Sequence, residues 1–197
     1  MDQPELLLPD GGSWRHWLEA NHADPTGVWL VLAKKAALAV PDPPTRLTYA
    51  DALDEALCFG WIDGQARRRD ELTAFQRFTP RRARSPWSAR NVGHVARLTH
   101  EGRMHDAGLA EVERARADGR WDAAYAGPAT ATVPEDLAAA IAASPAAAAM
   151  FETLTSQNRY ALTHRLGQLK TTRTRERRIA EYVAMLERGE TIYPQKR

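Results

Sequence analysis

Three carboxylic acids are the side chains of this sequence whose types and spacing are best suited to acid–base chemistry. Asp54 and Glu55 lie in one predicted helix, and Asp63 follows the end of that helix. A carboxylate beside tryptophan side chains can have a raised pKa and act as a general acid or base. Asp54, Glu55 and Asp63 are therefore the candidate catalytic residues, although no spacing in the sequence requires catalysis.

An arginine-rich segment follows these acids and could bind an anion. Residues 67–90 contain eight arginines and only two acids, Asp70 and Glu71. Guanidinium groups bind carboxylates and phosphates through paired hydrogen bonds, and tryptophans could supply apolar walls. The same acids and arginines could instead pair only to fix a loop, and the sequence leaves both interpretations open. The candidate ligand-binding residues are Trp61, Arg77, Arg81, Arg84, Trp87, Arg90 and Asn91.

The remaining chemical groups favour neither a metal site nor a reactive thiol. The single cysteine, Cys58, lies near a predicted helix C-terminus between apolar neighbours, where the helix dipole and burial both disfavour a thiolate. No two histidines are four residues apart, and the standard nucleotide-binding, hydrolase and zinc-protease motifs are missing from the sequence. We therefore expect no metal and no cofactor, and the sequence does not decide whether the protein is an enzyme.

Composition and charge restrict the class of protein. Hydrophobic residues make up 44% of the 197 residues and charged residues 26%, which is typical of a soluble globular protein. The net charge is only +2 and no known nucleic-acid-binding motif is present, so nucleic acid ranks last among the expected partners. The N-terminus lacks a basic region, and no segment has the ~18–20 apolar residues of a membrane span. Together with the lone cysteine, this predicts a cytoplasmic protein without membrane insertion.

The first part of the chain has the pattern of mixed helices and strands. Ser13 and Thr48 are positioned to cap helices. Residues 27–35, 61–65 and 73–79 have the β-branched and aromatic composition of strands, and the last two would form a hairpin. This pattern predicts a short antiparallel sheet accompanied by helices.

A change of composition divides the chain into two predicted domains. All six tryptophans precede the segment 126–134, which has the Ala, Pro and Thr content of a linker. Thr132 and Glu135 then predict a capping box at the start of a helical region. The expected fold class is α+β, with a small mixed α/β domain over 1–125 followed by an all-α domain over 135–197.

Four segments of the chain resemble a known family. They read YADALDEALCFGWIDG from Tyr49, FTPRRARSPWSARN over 78–91, NRYAL over 158–162 and RRIAEYVAMLERGETIYP over 177–194. In this order they are similar to the YdeI/OmpD-associated (bacteriocin-protection) family, and the resemblance extends from about Trp14 to Pro194. It implies a small α+β domain followed by a helical domain, and an association with protection of bacteria against bacteriocins and antimicrobial peptides. The resemblance carries over no catalytic residues.

These observations support three hypotheses of function. The first is a protein that binds a small amphipathic or anionic compound in an aromatic and arginine-lined cleft, and so protects the cell by sequestration. The second is an enzyme that modifies or hydrolyses such a compound by carboxylate acid–base chemistry. The third is an adaptor that binds nucleic acid or an acidic protein through its arginines. The sequence specifies neither the ligand nor the oligomeric state.

Overall fold

The protein has an α+β fold whose residues group into two compact units. The computed structural model describes residues 5–127, 132–169 and 171–195. Within these ranges there are eight helices and four strands, so the predicted fold class is confirmed at the level of a mixed α+β protein. One compact unit ends at Tyr125 and the other starts at Ala126.

The first unit contains the sheet and four helices. Its elements are β1 (Glu5–Leu6), α1 (Gly11–Asn21), β2 (Val28–Ala33), α2 (Tyr49–Cys58), β3 (Trp61–Arg68), β4 (Thr73–Pro80), α3 (Ala89–His100) and α4 (Asp106–Ala117). The strand order is β1-β2-β4-β3, in which β4 is antiparallel to both of its neighbours and forms the predicted hairpin with β3. Strand β1 pairs with β2 in parallel, so the sheet is mixed and not purely antiparallel as predicted. With only two residues, β1 is too short to produce a recognisable alternation.

The side chains of β2 alternate between the two faces of the sheet, and one of these faces packs against the core. Val28, Leu30 and Leu32 are buried in one cluster with the apolar side chains of α1 and α2. Successive side chains of a strand point to opposite faces, so Trp29 and Val31 lie on the other face. The same six residues therefore supply one wall of the core and one side of the site described below.

Side-chain caps determine where the first helices begin. The Thr48 hydroxyl accepts the backbone N–H of Asp51, so Thr48 caps α2 as predicted. The prediction that Ser13 caps the first helix is wrong. Asp10 is the cap, and its carboxylate accepts the backbone N–H of Ser13 at 2.8 Å. Helix α1 therefore begins at Gly11, because a carboxylate three residues before Ser13 satisfies the first free N–H groups.

The second unit is helical within the described residues. It contains α5 (Glu135–Ala142), α6 (Pro145–Glu152), α7 (Ser156–Gly167) and α8 (Thr172–Glu187), which share a separate apolar core. The predicted capping box is wrong because Pro134, not Thr132, is the residue before α5, and it makes no side-chain cap. The predicted linker, 126–134, falls partly on residues 128–131, which lie outside the described ranges, and the division into domains remains a prediction.

Two helical glycines allow a test of how closely α4 packs on the end of α2. A Cβ at Gly108 would overlap the carbonyl oxygen of Cys58, whereas a Cβ at Gly93 in α3 has no atom within 4 Å. Gly108→Ala should lower the free energy of unfolding of the first unit by about 1–3 kcal/mol. Gly93→Ala is the matched control and should stabilise by about 0.5–1 kcal/mol, because alanine has the higher helix propensity.

Urea unfolding followed by tryptophan fluorescence measures this effect in the first unit, because all six tryptophans precede residue 126. Equal unfolding midpoints for the two variants would contradict the close approach of α4 to α2.

Candidate functional site

A surface cavity of about 550 Å³ is lined by arginines of the first unit and by Trp29. Cavities of this volume are large enough for a small-molecule ligand. None of the lining residues is acidic. The lining consists of Pro25, Thr26, Trp29, Gln65, Arg67, Arg77, Thr79, Pro80, Arg81 and Arg82.

The strand register places two arginines beside the Trp29 ring. Trp29 on β2 is paired with Arg77 on β4, and Phe75 on β4 is paired with Arg67 on β3. The guanidinium carbon of Arg67 lies 4.1 Å from the centroid of the Trp29 ring, and that of Arg77 lies 5.9 Å from it. Cation–π attraction to one ring therefore holds two positive charges near each other.

Within the described ranges the cavity arginines form no close ion pairs, although the charge of Asp63 acts on Arg81 at longer range. None of the four cavity arginines forms an ion pair with any residue in the part of the chain that the structure describes. Burial lowers the pKa of Arg77, and the nearby positive charge of Arg67 lowers it further. Arg77 donates from Nη2 to the carbonyl of Thr26, but its buried Nη1 has no hydrogen-bond partner among the described residues.

Arg81 is a buried cation, with only 5% of its surface exposed. Its guanidinium carbon lies 3.6 Å from the centroid of the Trp87 ring, and its Nη1 donates to the carbonyl of Pro86 at 3.1 Å. The Nε and Nη2 groups are also buried, and neither has a hydrogen-bond partner in the described ranges. Burial lowers the pKa of Arg81 to about 10, although the negative charge of Asp63 opposes this shift.

The two candidate acids on α2 pair with other arginines. Glu55 is buried, and its two oxygens accept hydrogen bonds from Arg15 of α1 at 2.8 Å and from Arg103 at 2.7 Å. Asp54 accepts from Arg97 of α3 at 2.6 Å. Helices α1 and α3 pack against α2, so their side chains reach these acids. The structure does not bring Asp54 or Glu55 together with the arginines of the cavity.

Asp63, the third candidate acid, lies on β3 apart from the other two. The Tyr49 hydroxyl donates to Asp63 at 2.9 Å. Burial and the charge of Asp63 raise the pKa of Tyr49 to about 12, while the positive charge of Arg90 opposes this shift. Since Asp63 also acts on Arg81, the structure brings Asp63, Arg81 and Arg90 into one electrostatic neighbourhood.

The predicted ligand-binding residues are divided between the cavity and other places. Arg77 and Arg81 are in the cavity lining. Trp61 is completely buried in the core, where its Nε1 donates to a backbone carbonyl, and Trp87 is 1% exposed beneath Arg81. The lining does not include Arg84 and Arg90, which are exposed, or Asn91, which is buried in α3.

Sequence reasoning missed Trp29 and Arg67 as lining residues. Trp29 was expected in a strand, and Arg67 in the connection between two strands. The signal that could have found them is the two-residue alternation of the strands, which places Trp29 and Arg77 on one face once β2 is paired with β4.

Other groups in the described residues offer little chemistry. Cys58 is buried as expected, and burial raises the pKa of its thiol to about 11. No set of three or more His, Cys, Asp or Glu side chains within the described ranges is arranged to hold a metal ion. Among the helices of the same ranges, none is both long and apolar enough to cross a bilayer.

Two separate regions of the chain match two known families. Residues 6–111 match a domain of unknown function (DUF8412), and this match contains the whole cavity. Residues 130–189 match the family described as Bacteriocin-protection, YdeI or OmpD-Associated, which confirms the resemblance for the C-terminal part of the chain. The motif from Tyr49 and the motif over 78–91 lie in the DUF8412 match instead. Searches of curated proteins and of solved structures find no match.

The ion pairs of Glu55 should be important for the stability of the first unit. Glu55→Gln would leave Arg15 and Arg103 without their shared carboxylate, so we expect the free energy of unfolding to fall by about 1.5–3 kcal/mol. The control is Glu113→Gln, which removes an exposed pair with Arg116 and should cost at most about 0.5 kcal/mol. Urea unfolding followed by tryptophan fluorescence measures both. A loss for Glu55→Gln no larger than that of the control would contradict a structural role for this cluster.

The raised pKa of Cys58 predicts a loss of stability at high pH. The pKa of the thiol is about 8.5 in the unfolded chain, whereas burial raises its pKa in the folded protein to about 11. The folded state therefore holds the proton more tightly, and this contribution to stability is complete below pH 8.5 and disappears as the pH rises to 11. We expect the free energy of unfolding of the wild type, minus that of Cys58→Ala, to decrease over this interval. A difference that is constant with pH would contradict the burial of the thiol.

Proposed function

Because the chain belongs to the DUF8412 family and its residues 130–189 match the YdeI/OmpD-associated family, we propose that it binds a small anionic compound in the arginine-lined cavity. The observation that carries this proposal is the convergence of four arginines on one cavity whose lining contains no acid. The arginines are Arg67, Arg77, Arg81 and Arg82.

Like charges at short distance repel each other, and the fold holds these arginines there without a direct ion pair to an acid among the described residues. The lowered pKa of Arg77 reflects both its burial and its proximity to Arg67. Removing a charged group from water costs several kcal/mol unless it is paired. An anion in the cavity would supply the missing negative charge, and the guanidinium groups would bind it without first having to be assembled.

The rest of the lining suits a ligand that also has an apolar part. Pro25, Pro80 and Trp29 provide apolar surface, and Thr26 and Gln65 provide polar groups between them. Ligand sites commonly combine apolar walls with a few charged groups that orient the ligand. The proposed ligand is therefore an anion that can also carry an apolar part.

The proposed biological role is protection by sequestration of such a compound. It is supported by the name of the family matched by residues 130–189, which refers to bacteriocin protection. We further propose that the two compact units are separate domains, and that the protein acts in the cytoplasm. In this proposal the first domain binds the ligand.

The proposal is tested by replacing one cavity arginine and one matched arginine outside it. Arg77→Gln should weaken the binding of phenyl phosphate at least about ten-fold, because a hydrogen bond to a charged group contributes about 1.5–3 kcal/mol. Arg68→Gln is the control, since Arg68 neighbours Arg67 on β3 but is exposed and paired with Glu71. Both variants lower the net charge equally, and isothermal titration calorimetry measures the affinities.

Tryptophan fluorescence verifies that Arg77→Gln remains folded. Equal affinities of the two variants for phenyl phosphate would contradict the placement of the site in this cavity.

A further inference from the structure

We infer that the ligand of this cavity is a compact anion with at least two oxyanion groups and a total charge of about −3 or more. The inference rests on the proposed function and specifies its ligand class. It follows from the number of unpaired guanidinium groups, from their attachment to two different aromatic rings, and from the limited volume of the cavity.

Among the acids closest in sequence to the cavity arginines, Asp63 acts on Arg81 without forming an ion pair with it, and the others are engaged elsewhere. Asp70 pairs with Arg69 at 2.7 Å, and Glu71 pairs with Arg68 at 3.0 Å. Asp24 accepts a backbone N–H two residues further along the chain at 2.8 Å. The cavity therefore has an excess of positive charge that these acids do not neutralise. A singly charged ligand would leave most of it unbalanced.

Three of the four arginines lie beside two different rings. Arg67 and Arg77 lie beside Trp29, whereas Arg81 is stacked on Trp87 and is followed directly by Arg82. One oxyanion group can accept hydrogen bonds from one or two guanidinium groups in good geometry. Contact with both sets of arginines, the one beside Trp29 and the one that includes Arg81, therefore requires a second oxyanion group on the same molecule.

The unpaired groups of Arg81 have the geometry for such a contact. Nε and Nη2 lie on the same edge of a guanidinium, and this edge donates two parallel hydrogen bonds to a carboxylate or phosphate. In Arg81 both groups lack a partner among the described residues, while Nη1 is occupied by Pro86. They are buried, so the proposed complex requires a small shift of Arg81 or of the exposed residues 82–84 that follow it.

The size of the cavity favours a small molecule over a polymer. A volume of about 550 Å³ holds a compact polyanion. Single-stranded nucleic acid instead needs a continuous basic groove with aromatic rings free to stack on bases. Trp29 is only 7% exposed and already has Arg67 beside it, so its ring is not free for a base.

The test is a charge series measured by calorimetry on the full chain at constant ionic strength. The probes are inorganic phosphate, pyrophosphate, tripolyphosphate and citrate, in a buffer without other multivalent anions. Pyrophosphate should bind at least about ten-fold more tightly than phosphate, which corresponds to about 1.4 kcal/mol. Comparison of citrate with pyrophosphate decides whether carboxylate or phosphate groups are preferred.

Arginine variants test whether both sets of arginines produce the preference for pyrophosphate over phosphate. Arg77→Gln and Arg82→Gln should each reduce the advantage of pyrophosphate over phosphate to about two-fold or less, because each removes one contact to a different oxyanion group. Arg68→Gln should keep the full advantage. Arg82 is exposed, so its replacement does not disturb the core.

The possible failures can be distinguished from one another. Equal affinities for phosphate and pyrophosphate would overturn the inference of two oxyanion groups and leave the proposed function standing. If neither these probes nor phenyl phosphate binds the wild type, the proposed function fails as well. A single-stranded DNA oligomer that binds more tightly than tripolyphosphate, and through Arg77, would replace the small ligand with nucleic acid.

Discussion

The ion pairs of helix α2 are the electrostatic contacts that join three helices of the first unit. Glu55 is shared between Arg15 and Arg103, and Asp54 pairs with Arg97. These contacts fix α1 and α3 against α2. A buried carboxylate is tolerated only with such partners. Arg67 and Arg77 of the sheet have the Trp29 ring, and no ion-paired acid of the described residues, beside them.

Aromatic rings orient arginines in a way that carboxylates do not. A carboxylate both positions a guanidinium and neutralises it, whereas the face of a ring attracts the cation but leaves its charge available. Trp29 and Trp87 act in this way on Arg67 and Arg81. The side chains that a ring holds lose their conformational entropy during folding, so less entropy is lost when a ligand binds. This effect is called preorganisation. In the proposed complex Arg67 and Arg77 would already be in place beside Trp29, whereas Arg81 would have to shift to expose its donors.

Local patterns predicted much of the fold but only part of the site. The strand over β2, the β3–β4 hairpin and the cap at Thr48 follow from residues adjacent in sequence, and these features are present. The site depends on the pairing of β2 with β4, which joins Trp29 to Arg77 across a long stretch of chain. Nothing in the local composition specifies that register, so Trp29 was not recognised as a lining residue.

Tryptophans were the least informative residues for locating the site. Trp61 and Trp87 were predicted to line a cleft, yet both are almost completely buried. A core position and a pocket wall require the same large apolar side chain, and only the tertiary structure distinguishes them. Trp87 still affects the site indirectly, because Arg81 rests on its ring.

The cavity lies in only one of the two regions of the chain that match a family. All of its lining residues belong to the first unit and to the DUF8412 match, whereas the second unit has its own apolar core within the match to the bacteriocin-protection family. Recognition of the anion, as proposed, therefore needs no side chain from residues 130–189. A site built on paired strands is also more rigid than one built on loops, which suits a cavity that must hold like charges together. The chemistry of the protein is accordingly to be sought first in the sheet of the first unit.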